Sequence, residues 1–81
     1  MQTVKEGSSG TAVYCLQAIL RAACYTGTDG KPVEVDGKAG ANTIFALREF
    51  QKKMIAYGVD VGCKTPDGIC GPKCWAALGM E

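Results

Sequence analysis

Three times along the chain an acidic residue precedes a glycine, two variable residues and a second glycine: Glu6-Gly7-x-x-Gly10, Asp36-Gly37-x-x-Gly40 and Asp67-Gly68-x-x-Gly71. The second glycines lie 30 and 31 residues apart. Three residues beyond each comes a small or β-branched side chain (Val13, Thr43, Cys74), then a large apolar one (Tyr14, Ile44, Trp75), and at six or seven residues a leucine (Leu16, Leu47, Leu78). Glycine tolerates positive φ and close backbone approach, so this spacing predicts a tight turn that enters a helix. The acidic side chain is expected to accept hydrogen bonds from the turn amides and to suit the nearby helix N-terminus. One such unit cannot bury its apolar face alone, so the copies have to pack together. Gly7, Gly10, Asp36, Gly37, Gly40, Asp67, Gly68 and Gly71 are therefore assigned to turn structure. A phosphate-loop reading finds no Gly-Lys-Ser/Thr and no β-α-β context around them.

The apolar periodicity places three helices behind these turns. The first spans about residues 11–24, with Val13, Leu16, Leu20 and Ala23 as its stripe, and Ser8, Ser9 and Gly10 as start residues. The second spans about residues 41–57, with Thr43, Ala46, Leu47, Phe50 and Met54 inward and Gly58 as a stop. The third spans about residues 72–78, with Pro72 in its first turn, Trp75 and Leu78 inward and Gly79 at its end. Two turn-rich connections join them, residues 26–32 and 59–66, and Val33-Glu34-Val35 alternates as a short extended piece would. Residues 1–81 read as one domain of all-α class, a small orthogonal three-helix bundle made of pseudo-repeated turn-helix units.

Composition removes several function classes. The net charge is +1 and no lysine-arginine cluster exceeds Lys52-Lys53, so neither a nucleic-acid groove nor an anionic membrane surface is expected. No apolar run is long enough for a membrane span, and the N-terminal residues do not follow the signal-peptide pattern. There is no histidine, so the usual general base and the usual zinc ligand are missing. No catalytic residue, metal site or cofactor is assigned. The five cysteines, at 15, 24, 63, 70 and 74, are odd in number and contain no Cys-x-x-Cys. They read as small apolar side chains carrying free thiols, with one bridge among Cys63, Cys70 and Cys74 as the alternative.

At the repeated blocks the sequence resembles the peptidoglycan-binding domain family of bacterial and phage cell-wall proteins. The family pattern approaches Gly-x-x-Gly-x-x-Val-x-x-Leu-Gln, then Val-Asp-Gly-x-x-Gly-x-x-Thr-x-x-Ala-x-x-x-Phe-Gln, then Asp-Gly-x-x-Gly-Pro-x-Thr-Trp-x-Ala-Leu. The matching blocks are residues 7–17, 35–51 and 67–78, in order and over nearly the whole chain. Cys74 stands where the family has Thr, Cys70 lies inside the third turn, and the loop at residues 26–32 is longer than is common. Related domains serve as metalloproteinase propeptides with a Pro-Arg-Cys-Gly motif, which is absent at Ile69-Cys70-Gly71-Pro72.

The resemblance implies noncatalytic binding of peptidoglycan, outside the cell or in the wall of a bacterium, with a linked or associated hydrolase as partner. A phage endolysin acting at the wall would fit equally. Two other readings stand beside it: a protein-interaction or prodomain module that has lost the wall ligand, and a redox-responsive module using Cys63, Cys70 and Cys74. A glycan-peptide site would be a shallow groove with aromatic faces and a few amide or hydroxyl groups. The candidates are Gln17, Tyr25, Asn42, Thr43, Arg48, Gln51 and Tyr57. Gln17 and Gln51 have a competing reading as ties between helix and loop, Tyr25 and Tyr57 as covers of the core edge, and Trp75 reads as core.

Overall fold

The computed structural model describes residues 2–79. It holds three helices, α1 (Thr11–Ala22), α2 (Ala41–Ala56) and α3 (Pro72–Ala77), with no strand among the described residues. The fold is thus all-α, as the periodicity predicts. The extended piece at residues 33–35 forms no ladder, and only Val33 in it is buried. Pairing is limited to three isolated antiparallel bridges, Val4 with Cys70, Ser9 with Lys38 and Thr26 with Pro32.

One core takes side chains from every part of the chain. Val13, Leu16 and Leu20 of α1 meet Ile44, Ala46, Leu47 and Phe50 of α2 and Cys74 and Trp75 of α3. The connections add Val4, Val33, Ala39, Val61 and Cys70. The radius of gyration is 11.1 Å, close to the roughly 12 Å expected for a compact domain of this length. Ala23, placed in the α1 stripe by sequence, is exposed, because the helix stops at Ala22 and Ala23 is its C-cap.

The helix starts differ from the sequence expectation in one respect. No serine caps α1: Gly10, Gly40 and Gly71 are the N-caps, and none of the three starts has a side-chain cap. Ser8 Oγ instead accepts from Lys5 N at 3.1 Å, closing the first turn on itself. Ser9 is occupied by its bridge to Lys38. Tyr14 N, Ile44 N and Trp75 N then donate to the carbonyls of Gly10, Gly40 and Gly71.

All three helices end on a left-handed residue. In α2, Gly58 has φ 80° and the Val59 amide reaches back to Met54 O at 2.9 Å, which is the Schellman ending. In α1 the same hydrogen bonds form, Tyr25 N to Leu20 O and Cys24 N to Arg21 O, but the left-handed residue is Cys24, with φ 67°. α1 therefore ends two residues before the sequence estimate, without a glycine to mark the place.

Candidate functional site

Each of the first two helices grips the turn of the following unit with a glutamine. Gln17 is fully buried. Its Nε2 donates to Asp36 Oδ1 at 2.9 Å, to Lys38 O at 2.9 Å and to Thr43 Oγ1 at 3.0 Å. Its Oε1 accepts from Asp36 N at 3.0 Å and Gly37 N at 2.8 Å. Gln51, also fully buried, repeats this on the third turn, donating to Asp67 Oδ1 and Ile69 O and accepting from Gly68 N. Asp36 Oδ1 and Asp67 Oδ1 each accept a second bond from the amide two residues on, Lys38 N and Ile69 N. The Lys38 amide, with the Gln17 amide second, lowers the Asp36 carboxyl below its ordinary value.

These bonds give the two glutamines of the ligand-binding expectations a structural place instead. Gln17 and Gln51 are fully buried with their amides bonded to the following turn, so they hold the fold, whereas Thr43, buried and accepting from Gln17, still lines the cleft beside Asn42. Trp75 is core, 1% exposed, with its Nε1 donating to Gln2 O at 2.8 Å. The remaining candidates lie in three separate places. Tyr25 is half-buried, its ring edge-on to Phe50 with centroids 6.0 Å apart. Tyr57, 70% exposed, is the C-cap of α2, and fifteen residues of helix put it roughly 22 Å from Asn42 along the axis.

Asn42 and Arg48 share the exposed face at the start of α2, and a side chain missed by the sequence reasoning joins them. A cleft of about 250 Å³ is lined there by Glu6, Thr28, Ala41, Ile44, Phe45 and Arg48. Phe45 presents an aromatic face that is 37% exposed. Its signal was legible: it is an apolar residue off the buried stripe of its helix, three residues from Asn42 and three from Arg48. Asn42 Oδ1 accepts from Thr28 N at 3.1 Å and Thr28 Oγ1 at 2.7 Å, which fixes the amide. Gly27 makes room for that contact, since a Cβ there would collide with the Asn42 side chain. A second cleft of about 300 Å³ continues past Ala41 and Asn42, edged by Lys31, Lys38, Asp29 and Glu34. The two form a shallow surface with one aromatic face, a fixed amide, a guanidinium and charges of both signs.

The thiols lie elsewhere. All five cysteines are unbridged. Burial, with Asp67 second, raises the Cys63 thiol. Cys70 is held above the ordinary thiol range by its hydrogen bond to Cys74 and by burial. Cys74 is drawn down because Cys70 donates to its sulfur, with a further hydrogen bond from Gln51. Among the described residues no three potential ligands converge as a metal site would require.

The chain is similar to the SleB N-terminal domain, known from its crystal structure: 35% identity over 96% of this chain and 89% of that one, with a TM-score of 0.71. No protein-family model matches the chain, and no curated protein does.

Proposed function

Because the chain belongs to the family of the SleB N-terminal domain, we propose that it binds bacterial peptidoglycan without catalysing its breakdown, and brings a linked or associated cell-wall hydrolase to that polymer. The observation that carries this reading is the α2 surface of Asn42, Phe45 and Arg48. A sugar ring stacks on an exposed aromatic face, and fixed amide and guanidinium donors orient its hydroxyl and carbonyl groups. The match of three sequence blocks to the peptidoglycan-binding pattern supports the same ligand. So does the exposure of Asn42 and Arg48 on one helix beside Phe45. The mechanism is mass action: a tethered hydrolase meets an insoluble substrate at a raised local concentration. The bacterial exterior or wall is the corresponding place of action, and no helix among the described residues is long and apolar enough to cross a membrane.

The test is co-sedimentation with insoluble peptidoglycan, against cellulose and chitin controls. The chain should pellet with peptidoglycan alone. Phe45→Ala should weaken that retention about tenfold, in keeping with roughly 1–1.5 kcal/mol for one aromatic contact. Equal retention on all three polymers would sink the proposal.

A further inference from the structure

The two clefts at the start of α2 differ in chemistry and share a floor. The one beside Phe45 holds about 250 Å³, less than the roughly 300–1,000 Å³ of an ordinary ligand pocket. Ala41 lines it and also lines the neighbouring cleft of about 300 Å³. A methyl group is too small to wall one from the other, and the joined groove falls within that range. Glu6 and Arg48 stand in the first cleft, and Asp29, Lys31, Glu34, Asp36 and Lys38 in the second. Seven of the 17 lysine, arginine, aspartate and glutamate residues of the chain thus face one groove. All seven are exposed. Among the described residues the one ion pair is Lys73 with Asp60, outside both clefts, so the groove charges do not neutralise one another. Asp36 is engaged with Gln17 and the Lys38 amide, which leaves Lys31 and Lys38 against Asp29 and Glu34.

The loop that carries Asp29 and Lys31 is held in place. Gly27 N donates to Lys31 O and Gly30 N to Gly27 O, each at 3.1 Å, and Lys31 N donates to Asp29 Oδ1 at 3.0 Å. Thr28 ties the loop to α2 through Asn42 Oδ1. Charges carried on an ordered loop lose less freedom on binding than charges on a free one. Phe45 lies four residues from Ala41, about 6 Å along the helix, so the aromatic face and the charged cleft are neighbours.

We propose that the groove takes the peptide-bearing form of the glycan. A sugar lies on Phe45, and its stem peptide crosses Ala41 into the second cleft, with a carboxylate toward Lys31 and Lys38 and an ammonium toward Asp29 and Glu34. This rests on the peptidoglycan reading and narrows it. N-acetylated sugars are uncharged, and a muramic residue stripped of its peptide offers only a lactyl carboxylate. A stem peptide with free carboxylate and ammonium groups matches both signs of the cleft.

The experiment measures retention of the whole chain on three bead-bound probes: disaccharide-peptide fragments of peptidoglycan, the same fragments after an amidase has removed the peptide, and the peptide alone. Retention should be about tenfold weaker on the stripped fragments and on the peptide, as a few exposed charge pairs and one stacked ring would give. Salt at about 1 M, where the Debye length is about 3 Å, should erase the advantage of the intact over the stripped fragments. Lys31→Ala with Lys38→Ala should bring retention on intact fragments down to the stripped level, with an unchanged circular dichroism spectrum. Lys64→Ala removes an exposed charge outside both clefts and should change nothing. Equal retention on intact and stripped fragments, retention on the peptide alone as strong as on intact fragments, or full retention of the double lysine variant would each overturn the assignment and leave peptidoglycan binding standing. Retention on none of the three probes would overturn both.

Discussion

At residue scale the glycine pair of the second and third turns divides into two kinds of position, whereas Gly7 and Gly10 of the first turn both have positive φ. Gly37 has φ 76° and its Cα faces the Tyr14 ring, so a Cβ there meets both backbone strain and a collision. Gly40 has φ −86° and open space around it. Gly37→Ala should therefore cost about 2 kcal/mol, most of it from the left-handed backbone because the half-exposed Tyr14 can swing aside. Gly40→Ser should be neutral or stabilising by up to about 1 kcal/mol, through a less flexible unfolded chain and a new cap for α2. Urea titration of both variants checks the contrast, and equal losses would contradict it. Cys24 is the reverse case, a side chain in a place that suits glycine. Cys24→Gly should raise stability by about 1 kcal/mol, a gain readable as a higher urea midpoint at unchanged slope. The sequence shows all three glycine pairs but not this division, because the same residue type stands at positions of either dihedral sign.

At element scale the repeat is less regular than its glycines. Gln17 stands seven residues beyond Gly10, whereas Gln51 stands eleven beyond Gly40. The four-residue difference is one helical turn, so both glutamines face the following unit although α2 is longer, 16 residues against 12. Turn glycines and helix stripes were legible because both are local in sequence. The helix-to-turn clamp was legible only as an even choice between ligand contact and structural tie, since its partners lie 16 to 26 residues away. Gln17→Leu tests it. The substitution keeps the volume but strips the Asp36 and Gly37 amides of their partner, while the Lys38 carbonyl keeps only its bond from Gly40 N. A loss of about 3 kcal/mol is expected by chemical denaturation, a large part of the stability of a domain this size. A loss below about 1 kcal/mol would mean that water replaces the clamp.

At the scale of the molecule the units close on one another. α1 holds the second turn, α2 holds the third, and α3 holds the segment before the first turn, through Trp75 Nε1 to Gln2 O and the Val4–Cys70 bridge. The first and second turns are joined directly, Gly10 N to Gly37 O and Gly7 N to Ala39 O, each at 3.0 Å. No unit keeps its neighbours if another is lost, so unfolding should be two-state. Far-UV circular dichroism, which reports mainly α1 and α2, and the fluorescence of Trp75, the single tryptophan, should give one midpoint. An earlier Trp75 transition would show α3 melting as a separate unit. The closed arrangement was foreseeable only as a need for mutual packing. That α3 covers residues 2–4 depends on a pairing 73 residues apart in the chain, for which no short pattern exists.

The bridge between Val4 and Cys70 also has a mechanical meaning. It joins the beginning of the described chain to the threshold of the last helix, with hydrogen bonds of 2.7 and 3.0 Å. Tension drawn between the two ends would load this pair and the Trp75–Gln2 bond before it reached either glutamine clamp. The domain would yield first at its own closure, while the α2 surface, carried by α1, α2 and the first two turns, kept its shape under strain.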